Sequence, residues 1–241
     1  MELLHKLAAE ETPEVREILD NVVLLLVPSL NPDGHEIVVK WYRENLGTKY
    51  EGTSPPWMYH KYVGHDNNRD WFMFTQKETR LAVEKIHNAW HPQIVYDLHQ
   101  MGSKGARLFV PPFTDPIDPN IDPVLQSQIA FLGTSMLNEL VTEGKRGVWC
   151  SAGYDLWTPA RHYQCYHGGV RILSEAASVD IASPIEVKRS EITAGRGLSP
   201  LTQRWNNPLP WTGGKWTLWD IVEYELSAAL ALLRNAARYR D

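Results

Sequence analysis

Cysteine is nearly missing from this chain. Cys150 and Cys165 are the only two in 241 residues, and their separation fits no zinc-finger spacing. They suit either a bridge in an oxidising compartment or a pair of buried thiols. Positive charge is also scarce, with 24 Lys and Arg against 29 Asp and Glu. The resulting net charge of −5 supplies no concentrated basic face, so nucleic acid is not an expected partner. Apolar runs stay short. Val22–Val27 is among the longest, far below the roughly 20 residues of a membrane helix. The N-terminal stretch lacks the charged, apolar and small-residue order of a signal peptide. Internal repeats, low-complexity tracts and linkers are absent too, so residues 1–241 read as one domain.

What is present is the composition of a soluble globular protein, 43% hydrophobic and 22% charged. Ten tryptophans is a high count, and four of them fall between Trp205 and Trp219. Such a stretch packs a long loop onto a domain or lines a binding rim. Met1 to Ala9 place Leu3, Leu4, Leu7 and Ala8 on one helical face, with no cap at the start. Thr12-Pro13-Glu14 then reads as a cap, a first-turn proline and a first-turn acid. Asn21–Pro28 predicts a central strand, closed by turn chemistry at Asn31-Pro32-Asp33-Gly34. A short helix is expected over Glu36–Arg43.

Thr75-Gln76-Lys77-Glu78 reads as a capping box for a helix burying Leu81, Ala82, Ile86 and Ala89 and stopped by Pro92. Strands follow at Gln93–Leu98 and Arg107–Val110. Asp122-Pro123 opens a long helix with Leu125, Ile129, Leu132, Met136 and Leu140 on one side, ended by Gly144. Gly169–Ser174 is a further strand, and Thr217 with Asp220 caps a last helix to about Tyr239. Alternating strands and helices predict an α/β fold, a mixed and largely parallel sheet with helices on both faces.

In such sheets ligands gather beyond the carboxyl ends of strands. Asp97-Leu98-His99-Gln100-Met101-Gly102 and Ser174-Glu175-Ala176-Ala177-Ser178 end two strands, and Gly64 to Trp71 forms a polar loop. Each has a bland alternative: a satisfied histidine, a carboxylate paired to arginine, a braced loop. A metal-type imidazole, a carboxylate and a planar cation, all at loop positions able to face one crevice, point instead to a common site. His87 and His91, and His60 and His65, lack a completing carboxylate and read as surface or structural histidines.

Four pieces in order, Asn31-Pro32-Asp33-Gly34, Gly64-x-Asp66-x-Asn68-Arg69-Asp70-Trp71, Leu98-His99 and Glu175, resemble zinc carboxypeptidases of the carboxypeptidase A type. The resemblance implies a metallocarboxypeptidase, a hydrolase that takes peptides with a free C-terminal carboxylate. His99 matches a zinc ligand and Glu175 the general base. Asn68 and Arg69 match the grip on the terminal carboxylate, for which a guanidinium fork is suited. Asp66 is either a support for a zinc-ligating histidine or the brace of an Asx turn. Arg43 is the candidate for polarising the scissile carbonyl, and Tyr154, with Tyr163 behind it, for the substrate-capping tyrosine.

The family's other two ligands come from a His-x-x-Glu motif, which occurs nowhere in this sequence. The chain is therefore expected to begin downstream of that motif and to lack the fold's first strands. It is expected to bind zinc weakly or not at all, to have little activity, and to self-associate through the exposed edge. A non-catalytic carboxylate-binding relative and a zinc amidase or deacylase of the same fold are the alternatives. The resemblance suggests a secreted or periplasmic protein.

Overall fold

A computed structural model describes residues 1–57, 59, 60, 63–194 and 199–240. Among the described residues, eight α-helices and eight strands make an α/β arrangement whose elements before the first strand are all helical. Helix α1 (Glu2–Ala9) has no side-chain cap, and α2 (Pro13–Asn21) starts where the Thr12 hydroxyl accepts from the Val15 amide at 3.2 Å. Leu7, Val15 and Ile18 bury together against Leu233 of the last helix, while Leu4 and Ala8 are exposed.

Asn21–Pro28 is not a strand. After α2 ends at Asn21 the chain runs on without forming a ladder with any described residue, and Val23 is 76% exposed. Its branched apolar residues favour extended backbone, but a strand needs a partner to satisfy its amides. The Asn31–Gly34 segment is a helix start and not a closing turn. Asn31 Oδ1 accepts from the Gly34 amide at 2.9 Å and opens α3 (Pro32–Asn45), longer than the helix expected there. Asn31 Nδ2 also donates to the Tyr59 carbonyl at 2.9 Å, and a Cβ on Gly34 would sit 2.3 Å from that same oxygen. Only glycine lets the loop approach this closely.

The expected capping box at Thr75 is replaced by Asp70. This buried carboxylate accepts from the Thr75 amide and hydroxyl and from the Gln76 amide, leaving Gln76 as the uncapped start of α4 (Lys77–Ala82). The helix then widens into a π segment at Val83–His87 and ends in α5 (Asn88–Trp90). A π segment shifts the periodicity. Thr79, Ala82 and His87 face inward, and Leu81 and Ala89 are exposed. His87 is thus structural, its Nδ1 lying 2.7 Å from Gln164 Oε1.

Strands β1 (Ile94–Met101) and β2 (Leu108–Phe109) follow. Next come β3 (Thr114–Ile117) and α6 (Pro123–Thr142), which Asp122 caps through the Val124 amide at 2.7 Å. The middle of the chain holds β4 (Val148–Trp149), β5 (Asp155–Leu156), α7 (Pro159–His162) and β6 (Val170–Ala177). Strands β7 (Ile185–Val187) and β8 (Gly214–Trp216) form a small hairpin-like pair before α8 (Leu218–Arg238). The main sheet has the order β1-β6-β2-β4. Its β1–β6 and β2–β4 pairs are parallel and β2–β6 antiparallel, so the sheet is mixed and mostly parallel as expected. The core lies between this sheet and the α6–α8 pair, around Phe109, Ile129, Met136, Leu140, Ile172 and Ala228.

Candidate active site

Parallel pairing of β1 with β6 sets Asp97 opposite Leu173 and His99 opposite Glu175. Side chains alternate along a strand, so Asp97 and His99 share one face with Arg171 and Glu175. The cluster is tied by hydrogen bonds. Asp97 Oδ2 lies 2.6 Å from His99 Nε2 and accepts a short bond from the buried Arg171 guanidinium. Burial works to raise the Asp97 carboxyl, but Arg171 and His99 outweigh it and hold the group below its usual range. For His99, burial works to lower the imidazole. The Asp97 bond and charge, with the charge of Glu175, prevail and leave it raised. With Nε2 committed to Asp97, Nδ1 is the ring nitrogen left to meet a ligand.

The reverse face of the same strands meets a third carboxyl. Glu225 of α8 accepts from Ser174 Oγ at 2.6 Å and Tyr96 Oη at 3.1 Å, clamping β6 to β1 from behind. Burial pushes its pKa up to about 7.

The 64–71 loop reaches the front face through an aromatic ring. Asp66 Oδ1 accepts from the Asn68 amide at 2.9 Å and opens a 3-10 turn, Asn67–Arg69. Of the two readings of Asp66, the Asx brace is the one with a hydrogen bond to support it. Arg69 projects outward, its side chain 65% exposed and 3.9 Å from Asp66. Two residues on, the buried Trp71 lies 5.9 Å from the Arg171 guanidinium and 5.3 Å from the Tyr163 ring. Trp71 thereby ties the end of this loop to Arg171, while Arg69 itself faces solvent.

Tyr154 packs its ring on Phe109 at 4.7 Å, and Phe109 is the β2 partner of Glu175. Arg43 is exposed in the last turn of α3, and no described hydrogen bond or ion pair joins it to the cluster. Its neighbour Tyr42 bonds Ser183, in the segment that follows β6, at 2.9 Å. Asp97 and Arg171 were given no role on sequence. The signal for Asp97 was its position two residues before His99, on the same strand face. Arg171 carried none, because its partner lies 74 residues away.

The sequence model of the zinc carboxypeptidase family matches residues 1–102. That segment, well under half of the 241 residues, is similar to the zinc carboxypeptidase family. No curated protein and no solved structure matches the chain. The match takes in Arg43, Asp66, Asn68, Arg69 and His99. Glu175 and Tyr154 lie outside it and are joined to it by the β1–β6–β2 pairing. The family is one of zinc-using hydrolases. The residues gathered here fit that metal incompletely. His99, with its ring oriented by Asp97, has the form of a zinc ligand. A catalytic zinc takes three protein ligands, however, and among the described residues no group of three His, Cys, Asp or Glu is placed to hold a metal.

Proposed function

We propose that this chain carries the carboxylate-recognition and proton-transfer half of a metallocarboxypeptidase site acting on C-terminal peptide bonds. The observation that supports the reading is the in-register pairing of His99 with Glu175 on one sheet face, with the loop that follows the Asn67–Arg69 turn reaching Arg171 through Trp71. Arg69 and Asn68 grip the peptide's terminal carboxylate, the guanidinium through two parallel hydrogen bonds. That grip sets the last peptide bond over the strand ends. Glu175, half-buried beside His99, accepts the proton of the attacking water and passes it to the leaving amine. Arg43 steadies the scissile carbonyl and Tyr154 closes over the substrate. Asp97 orients His99. With one ligand of the usual three, the chain as given holds zinc weakly and turns over little.

The test is a titration of the purified chain with a short peptide as free acid and as C-terminal amide, together with elemental analysis. The free acid should bind about ten-fold more tightly, and Arg69→Met should erase the difference. Equal binding of acid and amide would sink the carboxylate grip. One firmly held zinc per chain would overturn the weak-metal reading.

A further inference from the structure

Between the 157–166 segment and the aromatic pair that follows the Asn67–Arg69 turn lies a cavity of about 480 Å³. Its walls are mostly rings, those of Trp71, Phe72, Trp157, Tyr163 and Tyr166. Trp157 is 53% and Phe72 61% exposed, so these rings are spent on water where a packing role would have buried them. One carboxylate, Asp118, shares the lining. Asn120 fixes its Oδ1 through the amide at 2.8 Å and Nδ2 at 3.0 Å, and the Tyr166 hydroxyl donates to Oδ2. The buried His162 stands 3.7 Å from Oδ2. The Tyr166 bond first, then those from Asn120, hold the Asp118 carboxyl below its usual range, so it is ionised at neutral pH. The described lining residues include no lysine or arginine.

We propose that this cavity binds an alkyl cation, an ammonium or guanidinium on a short aliphatic stem. The stem lies against the rings and the head meets Asp118. Ring faces attract a cation by about 0.5–2 kcal/mol, more as water leaves. The carboxylate decides between ligand classes. A neutral ring filling the cavity would strip water from Asp118 and return nothing, whereas a cation pairs with it.

The position says where such a cation comes from. Trp71 and Phe72 follow Arg69 almost directly, and α7 packs against the Asn67–Arg69 turn. Resting on the peptidase reading, the cation is the terminal lysine or arginine side chain of a peptide whose carboxylate Arg69 holds. A free organic cation is the other source of the same chemistry.

Calorimetric titration of the whole chain separates these cases. n-Butylguanidinium should bind about ten-fold more tightly than its neutral isostere n-butylurea and than N-acetylphenylalanine amide. Asp118→Asn should remove that preference. Trp157→Ala, at a ring 53% exposed, should weaken n-butylguanidinium more than n-butylurea, because the ring face attracts the charged head beyond its contact with the stem. Arg69→Met should leave n-butylguanidinium untouched and weaken N-acetylarginine. A cation site that survives while N-acetylarginine gains nothing over its amide keeps the cavity, assigns it to free cations and ends the peptide source. Equal binding of butylurea and butylguanidinium, or Asp118→Asn and Trp157→Ala variants that bind the cation unchanged, would overturn the proposal.

Discussion

At the scale of single residues, Glu225 is the group whose environment most conflicts with its charge. It is 8% exposed, its Oε2 is shared by Ser174 and Tyr96, and its Oε1 has no hydrogen-bond partner. Burial raises its pKa from 4.5 to about 7, so the fold prefers the protonated form. The stability linked to this group is therefore full below about pH 4.5 and lost as pH rises through about 7. At about 1.4 kcal/mol per unit, the loss amounts to about 3 kcal/mol. Glu225→Gln keeps an acceptor for both hydroxyls and removes the charge. Urea unfolding at about pH 4 and about pH 8 should show the parent losing up to about 3 kcal/mol more than the variant. Parallel losses would show that Glu225 is not the titrating group. Sequence offered little here, since a lone glutamate in a helix is ordinarily a solvated one. His99 and Glu175 were legible because each lies near a strand's carboxyl end, although both strands run two residues past them and not, as expected, to Leu98 and Ser174. The clamp behind them depends on a pairing between residues 51 positions apart.

At the scale of elements, caps were read well where side chain and helix are close in sequence and badly where a distant group intervened. Thr217 and Asp220 form a reciprocal capping box on α8, with Asp220 Oδ2 taking the Thr217 amide at 2.7 Å and Thr217 Oγ1 the Asp220 amide at 3.2 Å. Thr75 shows the same sequence signature, yet it is drawn away by the buried Asp70. The difference has a measurable consequence. Thr217→Ala should cost about 1 kcal/mol, because it orphans a first-turn amide of the helix that covers the sheet. A loss below a few tenths in denaturant unfolding would mean the α8 start is held by packing alone. The π segment at Val83–His87 was illegible for a related reason. A single extra residue in a turn moves the buried face without changing composition, so Leu81 and Ala89 rotate out while His87 finds Gln164.

At the scale of the whole molecule, the sheet is asymmetric. β6 is paired on both sides, by β1 and β2, and is covered by the α6–α8 layer, so its residues are almost all buried. β1 bonds β6 along one edge, and Leu98 on it is 51% exposed. Residues 23–28 have the composition of an inner strand and no ladder among the described residues, which is why hydrophobic content alone misplaced them. Protection against amide exchange follows from this arrangement. Opening β6 requires breaking two ladders and the packing beneath them, so its amides should exchange only through near-global unfolding. Residues 23–28 need no such event and should exchange at rates close to those of an unstructured chain. Hydrogen exchange followed by mass spectrometry resolves the two segments. If 23–28 were protected as strongly as 170–177, that segment would have found a strand partner in solution. A partner supplied by a second chain would make its protection rise with protein concentration, which distinguishes assembly from a ladder within one molecule.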